Sequence, residues 1–325
     1  MLDVIFPFHR DDSYLREAIA SLAATRGVTL RLIIIDDRID NTKNLKDLFS
    51  VFKRYDYVKT IGGLGYGESL RLGSTLISSN YVALMNSDDR VTSDRFYKQM
   101  NVLDNAELSI SKMVRFVSGK LPIPSILGDI QNDQYDPFFL LLGAYGANAT
   151  WCMHANWWKK NSFFDADACL DWRIALKSFH ESKISYTREP LYFYRKHTSQ
   201  VTTYRSLQRY DFEKTYKLWR SYAERLGLGQ PSYPLFSLFA VPWNTGVFKI
   251  DEDYFNFRKL LITYGQEYLP AAFPDLTHLV MRRDIMAIRS VRNLESATKL
   301  ITRSYKEIPL LVSDIFKVVA RQAYH

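Results

Sequence analysis

Short apolar runs alternate with longer amphipathic segments over the first ninety residues of the chain. Four runs have the length and the β-branched content of buried strands, and they lie at residues 2–7, 30–35, 58–61 and 81–85. Three segments between them have apolar residues at helical spacing, and they lie at residues 13–25, 44–55 and 68–78. Asp12 or Ser13 is the predicted N-cap of the first helix. This alternation predicts an α/β domain with a mostly parallel sheet flanked by helices.

Between residues 92 and 205 the pattern is looser. The predicted elements are a helix ending at Asn105, a strand at 108–116, a long loop at 121–137, a helix at 170–179 and two short strands within 184–194, separated by Glu189-Pro190. Long loops of this kind often cover active sites.

Beyond residue 205 the sequence changes character and becomes chiefly helical. Helices are predicted at residues 206–226, 254–268 and 276–323. The segment 231–246 is irregular and aromatic. We therefore place a domain boundary near residue 205, with the α/β domain at residues 1–205 and a mainly α-helical extension at residues 206–325.

Adjacent carboxylates follow the fourth predicted strand, in the turn Asn86-Ser87-Asp88-Asp89. Asp36 and Asp37 end the second strand in the same way. In open α/β sheets, ligands bind at the carboxyl ends of the strands. Carboxylate oxygens suit Mg²⁺ or Mn²⁺, and these ions commonly bind together with the phosphates of a substrate. The pattern predicts a nucleotide-dependent enzyme.

A series of motifs, taken in order, resembles that of the inverting family-2 glycosyltransferases of the GT-A fold, over about residues 2–201. The motifs are the strand ending in Pro7, Asp36-Asp37 with the turn Asp40-Asn41-Thr42, the run from Gly65 to Gly73, the strand into Asp88, the stretch 163–173 and the segment 194–201. Several motifs in one order are more specific than any of them alone. Two positions depart from the family pattern, because Asn86 replaces the first Asp of the acidic motif and Leu170 replaces a Glu.

The resemblance implies a GT-A fold and a site for a nucleotide-sugar donor, with UDP as the nucleotide. The residues it implies for donor binding are Pro7, Asp37, Arg71, Ser87, Arg195 and His197. It implies Mn²⁺ or Mg²⁺ at Asp88, with His197 as a second ligand. It also implies Asp171 as the general base that deprotonates the acceptor hydroxyl. Asp171 could instead cap a helix, and Arg71 could equally face water.

The last fifty residues carry nine Lys or Arg and four acids, a net charge of +5. A basic, helix-patterned tail predicts peripheral contact with anionic lipid headgroups, while an ordinary surface helix pair is the alternative. The resemblance implies a glycan or lipid-linked glycan acceptor in bacterial surface polysaccharide synthesis, at the cytoplasmic membrane face. Aromatic residues that could line an acceptor groove or form a core patch are Tyr233, Phe236, Phe239 and Trp243.

The composition predicts a cytoplasmic location, and the sequence leaves two alternative functions open. With only Cys152 and Cys169, and no leader or long apolar span, the chain predicts no disulfide, zinc site or membrane helix. The loop Gly63–Gly67 suits an NAD(P)-dependent oxidoreductase, although Leu70 stands where a third Gly is needed. A pI near 9.2 suits a non-catalytic basic membrane-binding protein. Residues 1–205 carry 26 basic and 23 acidic side chains without a nucleic-acid motif, so no nucleic-acid partner is expected.

Overall fold

The computed structural model of the 325-residue chain describes residues 1–40, 43–117, 123–124, 135–143, 146–164, 169–197, 200, 205–240 and 251–290. The chain divides into two compact units. The first comprises Met1–Pro137 with Tyr145–Thr215, and the second comprises Phe138–Ala144 with Tyr216–His325. The predicted boundary near residue 205 precedes the end of the first unit at Thr215.

Nine strands form one sheet in the described part of the first unit. They are β1 (Leu2–Phe8), β2 (Leu30–Asp36), β3 (Tyr55–Lys59), β4 (Tyr81–Leu84), β5 (Arg90–Val91), β6 (Leu108–Phe116), β7 (Ile123–Pro124), β8 (Trp151–His154) and β9 (Ile184–Arg195). Their order is β3-β2-β1-β4-β8-β6-β9-β5, with β7 beside β6. The first four strands pair in parallel, and β8 runs antiparallel to both β4 and β6. The predicted α/β fold is confirmed, as a mixed sheet flanked by helices.

Most helices lie where the apolar spacing predicted them, apart from the segment 44–55 and the unpredicted helices at Ala155–Asn161 and Tyr233–Phe239. The α-helices are α1 (Ser13–Ala23), α2 (Tyr66–Thr75), α3 (Arg95–Asn101), α4 (Ala155–Asn161), α5 (Leu170–Ser178), α6 (Arg205–Arg225), α7 (Tyr233–Phe239), α8 (Glu252–Tyr268) and α9 (Phe273–Ser290). Short 3₁₀ helices lie at Lys46–Phe49, Pro137–Leu142, Asn148–Thr150 and Phe179–Glu181. Asp12 caps α1, because its side chain accepts a hydrogen bond from the Leu15 N–H.

The helix predicted at residues 44–55 is wrong in type. The structure has the 3₁₀ helix Lys46–Phe49 there, and β3 already begins at Tyr55. The Asn44 side chain accepts a hydrogen bond from the Lys46 N–H over 3.0 Å and so offers the backbone an alternative to a helical turn. The apolar side chains of this segment still reach the core, with Leu45 6% and Phe49 0% exposed.

The two short strands predicted around Glu189-Pro190 form one continuous strand, β9. The register against β6 shifts between Ser111 and Lys112, where Pro190 pairs. A bulge of this kind absorbs a residue that has no N–H to give to the ladder. β9 therefore runs without a break from Ile184 to Arg195, which lies at its carboxyl end.

Packing of α2 on the sheet requires a glycine. A Cβ atom at Gly73 would lie 2.5 Å from Cγ2 of Ile5, so only a residue without a side chain allows this approach. Strand β1 is buried along its whole length between such layers. The close packing places the N-terminal end of α2 at the edge of the sheet where β1 ends.

In the second unit, α7 lies within the segment that was predicted to be irregular. Pro234 occupies its first turn, a position where the missing N–H costs no helical hydrogen bond. Phe236 and Phe239 are buried, and their rings contact Trp219 and Tyr254 respectively, so they belong to a core patch. Trp243 lies outside the described residues, as do positions 291–325 of the basic tail. Within the described residues, no helix has both the length and the apolar character to cross a bilayer.

Candidate active site

The carboxyl ends of β1, β2 and β4 lie side by side at one edge of the sheet. Phe8 pairs in register with Asp36, and β4 pairs with the other side of β1. Strand β5 follows directly after the turn 86–89 and pairs with β9, so that Arg90 lies opposite Phe193. This pairing brings the acidic turn and the end of β9 together, as the order of the sequence motifs predicted.

Asp89 is the buried anchor of the acidic turn. Its carboxylate accepts hydrogen bonds from the Tyr192 hydroxyl at 2.5 Å, the Arg195 N–H at 2.7 Å and the Asn86 amide at 3.1 Å. Burial, followed by the charge of Asp88, raises the pKa of Asp89 well above its usual range. Asp89 has no exposed surface, so it holds the turn in place and leaves Asp88 as the accessible carboxylate.

The side chains of Asp88 and His197 contact each other at the solvent-accessible side of this sheet edge. Asp88 Oδ2 lies 2.9 Å from His197 Nε2, and their side chains are 28% and 14% exposed. The Tyr14 ring lies 5.1 Å from the imidazole, centroid to centroid, and supports it from α1. The structure therefore brings the two predicted metal ligands into direct contact.

The spacing of these two atoms fits adjacent ligands of one divalent cation. An octahedral ion with bonds of about 2.1 Å places neighbouring ligand atoms about 3.0 Å apart. Among the described residues, no group of three His, Cys, Asp or Glu side chains could hold a metal ion. An ion at Asp88 and His197 would take its remaining ligands from water or from the phosphates of a substrate.

Arg195 is almost fully buried beneath the turn. Its guanidinium pairs with Glu17 and donates to the Asp88 carbonyl at 2.8 Å. The rings of Tyr14 and Phe116 lie 4.4 and 4.6 Å from the guanidinium carbon. These contacts give Arg195 a structural role in this edge, and its predicted contact with a diphosphate stays a prediction.

Asp37 holds the glycine loop that connects β3 to α2. Its carboxylate accepts hydrogen bonds from the Thr60 hydroxyl at 2.7 Å and from the N–H groups of Leu64 and Gly65, both at 3.0 Å. Gly65 has a φ of 91°, in the left-handed region that favours glycine. The glycines that suggested a dinucleotide site thus serve the turn that presents N–H groups to Asp37.

The neighbouring residue Asp36 is fully buried. Arg38 donates two hydrogen bonds to this carboxylate, at 2.7 and 2.8 Å, and the Tyr57 hydroxyl donates a third. Burial alone would raise the pKa of Asp36, but these hydrogen bonds outweigh it and lower the pKa. Of the two adjacent aspartates, Asp37 is therefore the one placed toward the loop and the site.

Asp171 lies in the first turn of α5, as its place in the motif predicted. Its two carboxylate oxygens accept hydrogen bonds from the N–H groups of Trp172 at 2.8 Å and Asn148 at 3.2 Å. Burial raises the pKa of Asp171 from 3.8 to about 6. Cys169, just before the helix, has a φ of 57°, which is rare for a residue other than glycine. A carboxylate with a pKa near neutrality suits proton transfer at physiological pH.

Tyr66 and Asn148 are site residues that the sequence reasoning missed. The Tyr66 hydroxyl lies 3.0 Å from Oδ1 of Asn148 and 3.3 Å from Oδ1 of Asn86. Tyr66 is the first residue of α2 and lies within the motif run from Gly65 to Gly73, where it was given no role, and Asn148 opens a 3₁₀ helix outside every motif. A tyrosine directly after the glycine loop is the one sequence signal that could have pointed to this position.

The remaining predicted donor residues are placed differently from one another. Pro7 lies in β1 opposite Ile35, and Ser87 is partly buried within the acidic turn. The structure does not bring Arg71 to this group, because Arg71 is exposed on α2 and pairs with Glu68. Its predicted contact with the donor stays a prediction.

Parts of three motifs lie outside the described residues. They are positions 41–42 of the turn after β2, positions 165–168 before α5, and positions 198–199 and 201 after His197.

Comparison with solved structures agrees with this architecture. The structure of S. aureus TarS 1-349 in complex with UDP-GlcNAc matches with a TM-score of 0.58 and 14% identity, covering 93% of this chain and 91% of that chain. The same TarS segment in complex with UDP gives a TM-score of 0.55 and 14% identity, covering 88% and 83% of the two chains. At this identity the likeness establishes the fold. No curated protein sequence matches the chain.

The mixed sheet with an acidic turn at its carboxyl edge has the GT-A-like fold of these solved structures. Residues 3–131 match the sequence model of the family described as Glycosyl transferase family 2. This match confirms the family resemblance that the order of the sequence motifs indicated.

Proposed function

We propose that the protein transfers a sugar from a UDP-sugar to a hydroxyl group of a glycan or glycolipid, with inversion at the anomeric carbon. The observation that carries this proposal is Asp171, a half-buried carboxylate with a pKa of about 6 at the same sheet edge as Asp88. In the reaction, Asp171 accepts the proton of the acceptor hydroxyl, while the oxygen of that hydroxyl bonds to the anomeric carbon of the sugar. The bond from that carbon to the diphosphate breaks, and UDP leaves.

The donor end of the site supports a uracil nucleotide. Asp37 and the N–H groups it gathers lie at the end of β2, beside Pro7 at the end of β1. Carboxylates and backbone groups at a sheet edge can read the N–H and hydroxyl donors of a base and ribose. The solved TarS complexes contain UDP-GlcNAc and UDP in a similar fold, which supports UDP as the nucleotide here.

We further propose that the reaction uses Mn²⁺ or Mg²⁺, held by Asp88 and His197. The 2.9 Å separation of the two ligand atoms supports this assignment. When bound, such an ion stabilises the negative charge that develops on the departing diphosphate. Asn86, in place of a second acid, leaves the site with less protein charge, so the donor diphosphate would supply much of the affinity.

For the acceptor, we propose a glycan or lipid-linked glycan of a bacterial surface polysaccharide, at the cytoplasmic face of the membrane. The net charge of +5 over residues 276–325 supports peripheral contact with anionic headgroups. Washed membranes from cells that make the protein should retain it at low salt and release it at high salt. Full release at low salt would contradict membrane contact through the tail.

The central test is calorimetric titration of UDP into the wild type and Asp88→Ala, each with and without Mn²⁺, with NAD⁺ as the comparison ligand. We expect metal-dependent UDP binding that the variant loses. A screen of UDP-sugars against polysaccharide acceptors then follows, and NMR of the product's anomeric proton reports inversion. NAD⁺ binding without a metal, together with no UDP binding, would overturn the proposal in favour of an oxidoreductase.

A further inference from the structure

A chain of hydrogen bonds and close polar contacts joins Asp171 to the acidic turn. The Asn148 N–H donates to Asp171 at 3.2 Å, and the Asn148 side-chain oxygen faces the Tyr66 hydroxyl at 3.0 Å. The same hydroxyl lies 3.3 Å from the Asn86 oxygen, and the Asn86 amide donates to Asp89. Tyr66 is thus the junction between the acceptor side and the donor side of the site.

Asn148 transmits the position of Tyr66 to Asp171, because one residue makes both contacts. Its backbone N–H supports the carboxylate, and its side chain is held by the tyrosine hydroxyl. Asn148 is 5% exposed and begins a 3₁₀ helix of three residues, which closes with a hydrogen bond from the Trp151 N–H to the Asn148 carbonyl. Loss of the tyrosine hydroxyl would leave the buried Asn148 side-chain oxygen without this hydrogen bond, and readjustment of the short helix would shift the backbone N–H that Asp171 accepts.

Asn86 completes the junction because an amide both accepts and donates. Its oxygen faces Tyr66 and its nitrogen donates to the buried carboxylate of Asp89. An aspartate at this position could accept from Tyr66 but could not donate to Asp89. The departure from the family's acidic motif therefore matches the presence of Tyr66 and Asp89 on either side.

We propose that Tyr66 is a positioning residue that sets the place of Asp171 relative to the donor turn, through Asn148 on one side and Asn86 on the other. The proposal rests on the assignment of Asp171 as the base. Within the described part of the chain, the charge of Asp171 acts on two titratable groups, Tyr66 on α2 and Cys169 before α5. Burial raises the pKa of each, so both stay neutral while Asp171 titrates.

The test uses Tyr66→Phe, which removes only the hydroxyl, and Tyr254→Phe as the matched control. Tyr254 is a buried tyrosine of the second unit whose hydroxyl donates to Asp284. We expect Tyr66→Phe to lower kcat about tenfold to a hundredfold, through misplacement of the base, while the donor KM changes by less than about threefold. The acid limb of the pH profile should move to higher pH, because a loosened Asn148 N–H stabilises the carboxylate less. Tyr254→Phe should change neither quantity.

Asn148→Ala removes the same contact from the other side and checks the route. The double variant Tyr66→Phe/Asn148→Ala should be no slower than Asn148→Ala, because both changes break one path. Multiplicative losses in kcat would overturn the coupling. Unchanged kcat and an unchanged acid limb in Tyr66→Phe would also overturn it, whereas Asp171→Asn would still test the base.

A readout without turnover separates this proposal from the proposed function. Carboxyl ¹³C NMR of the metal-free protein follows the titration of Asp171 directly, with Asp171→Asn assigning the signal. We expect the titration midpoint to rise in Tyr66→Phe and to stay unchanged in Tyr254→Phe. If no UDP-sugar is turned over, the transferase proposal fails, and an unchanged midpoint in Tyr66→Phe independently overturns the positioning role.

Discussion

Nε2 of His197 lies 2.9 Å from Oδ2 of Asp88, although 109 residues separate them in the chain. The contact forms because β5 follows the acidic turn at once and pairs with β9, which ends just before His197. Two elements distant in sequence are thereby fixed at one sheet edge. Their rigid placement on paired strands suits a site that must hold a charged donor in one orientation.

We expect His197→Ala to weaken Mn²⁺-dependent UDP binding about tenfold to a hundredfold, because the ion loses one of its two proposed protein ligands. Calorimetric titration of UDP at a fixed Mn²⁺ concentration measures this change. His180→Ala is the matched control, since His180 also lies beside a carboxylate, Glu181, but belongs to a separate 3₁₀ helix. Equal losses in the two variants would argue against a metal role for His197.

Asp171→Asn should lower kcat by about a thousandfold, because the amide cannot take up the acceptor proton. The UDP dissociation constant should stay within about twofold of the wild type, since Asp171 lies on the acceptor side of the site. Single-turnover assays with a labelled UDP-sugar measure the first quantity, and calorimetry measures the second. A variant that retains wild-type turnover would rule out Asp171 as the base.

The kcat should rise with pH through a midpoint near pH 6, because the proposed base Asp171 acts in its ionised form. The midpoint is raised from 3.8 by burial, so the profile should fall at a higher pH than an exposed aspartate would give. Initial rates between pH 4.5 and 8, at saturating donor, provide the measurement. A flat profile across pH 6 would contradict the assignment.

The same shift links stability to pH. The folded pKa of about 6 exceeds the ordinary value of 3.8, so the folded state holds this proton more tightly and the wild type loses stability as pH rises from 3.8 through 6. Asp171→Asn lacks this dependence. We expect the unfolding free energy of the variant, relative to the wild type, to increase by about 2 kcal/mol from pH 4 to pH 7.5. Urea titrations of both proteins at the two pH values test the sign, and a decrease would be the contrary result.

Asn86→Asp should destabilise the protein although it restores the family's acidic pattern. The new carboxylate would face Asp89, which the Asn86 amide contacts at 3.1 Å, and the donated hydrogen bond would be lost. We expect a loss of about 1–3 kcal/mol in unfolding free energy at neutral pH, since the hydrogen bond to the buried Asp89 would be lost and a second acidic group would lie in the same turn. Asn86→Ala, measured alongside, should cost less. An Asp variant as stable as the wild type would show that the amide is not needed.

Asp37→Ala and Arg71→Ala separate the two donor assignments. Asp37→Ala removes the carboxylate that gathers Thr60 and the N–H groups of the glycine loop, so UDP affinity should fall at least about tenfold. Arg71 is exposed and paired with Glu68, so we expect Arg71→Ala to leave the affinity within error. Calorimetric titration of UDP into both variants decides the matter, and a large loss in Arg71→Ala would restore its predicted role.

The adjacent residues Asp36 and Asp37 have different roles, and the sequence around them does not distinguish these roles. Both residues follow one strand, yet Asp36 is bound by Arg38 and Tyr57 while Asp37 is bound by the glycine loop. The difference arises because side chains alternate between the faces of a strand and its extension. Sequence motifs predicted both as site carboxylates and could rank them only through family resemblance.

Local periodicity and motif order, both written in the sequence, determined the α/β fold, most strand positions and the candidate residues Asp88, Asp171 and His197. These features could be predicted because the apolar periodicity of strands and helices is visible in a short window of sequence. Tertiary structure decided that Asp89 anchors the turn, that Arg195 lies beneath it, and that Tyr66 joins Asp171 to Asn86. Such contacts depend on side chains from separate strands and helices that meet only when the sheet forms, so no local pattern encodes them.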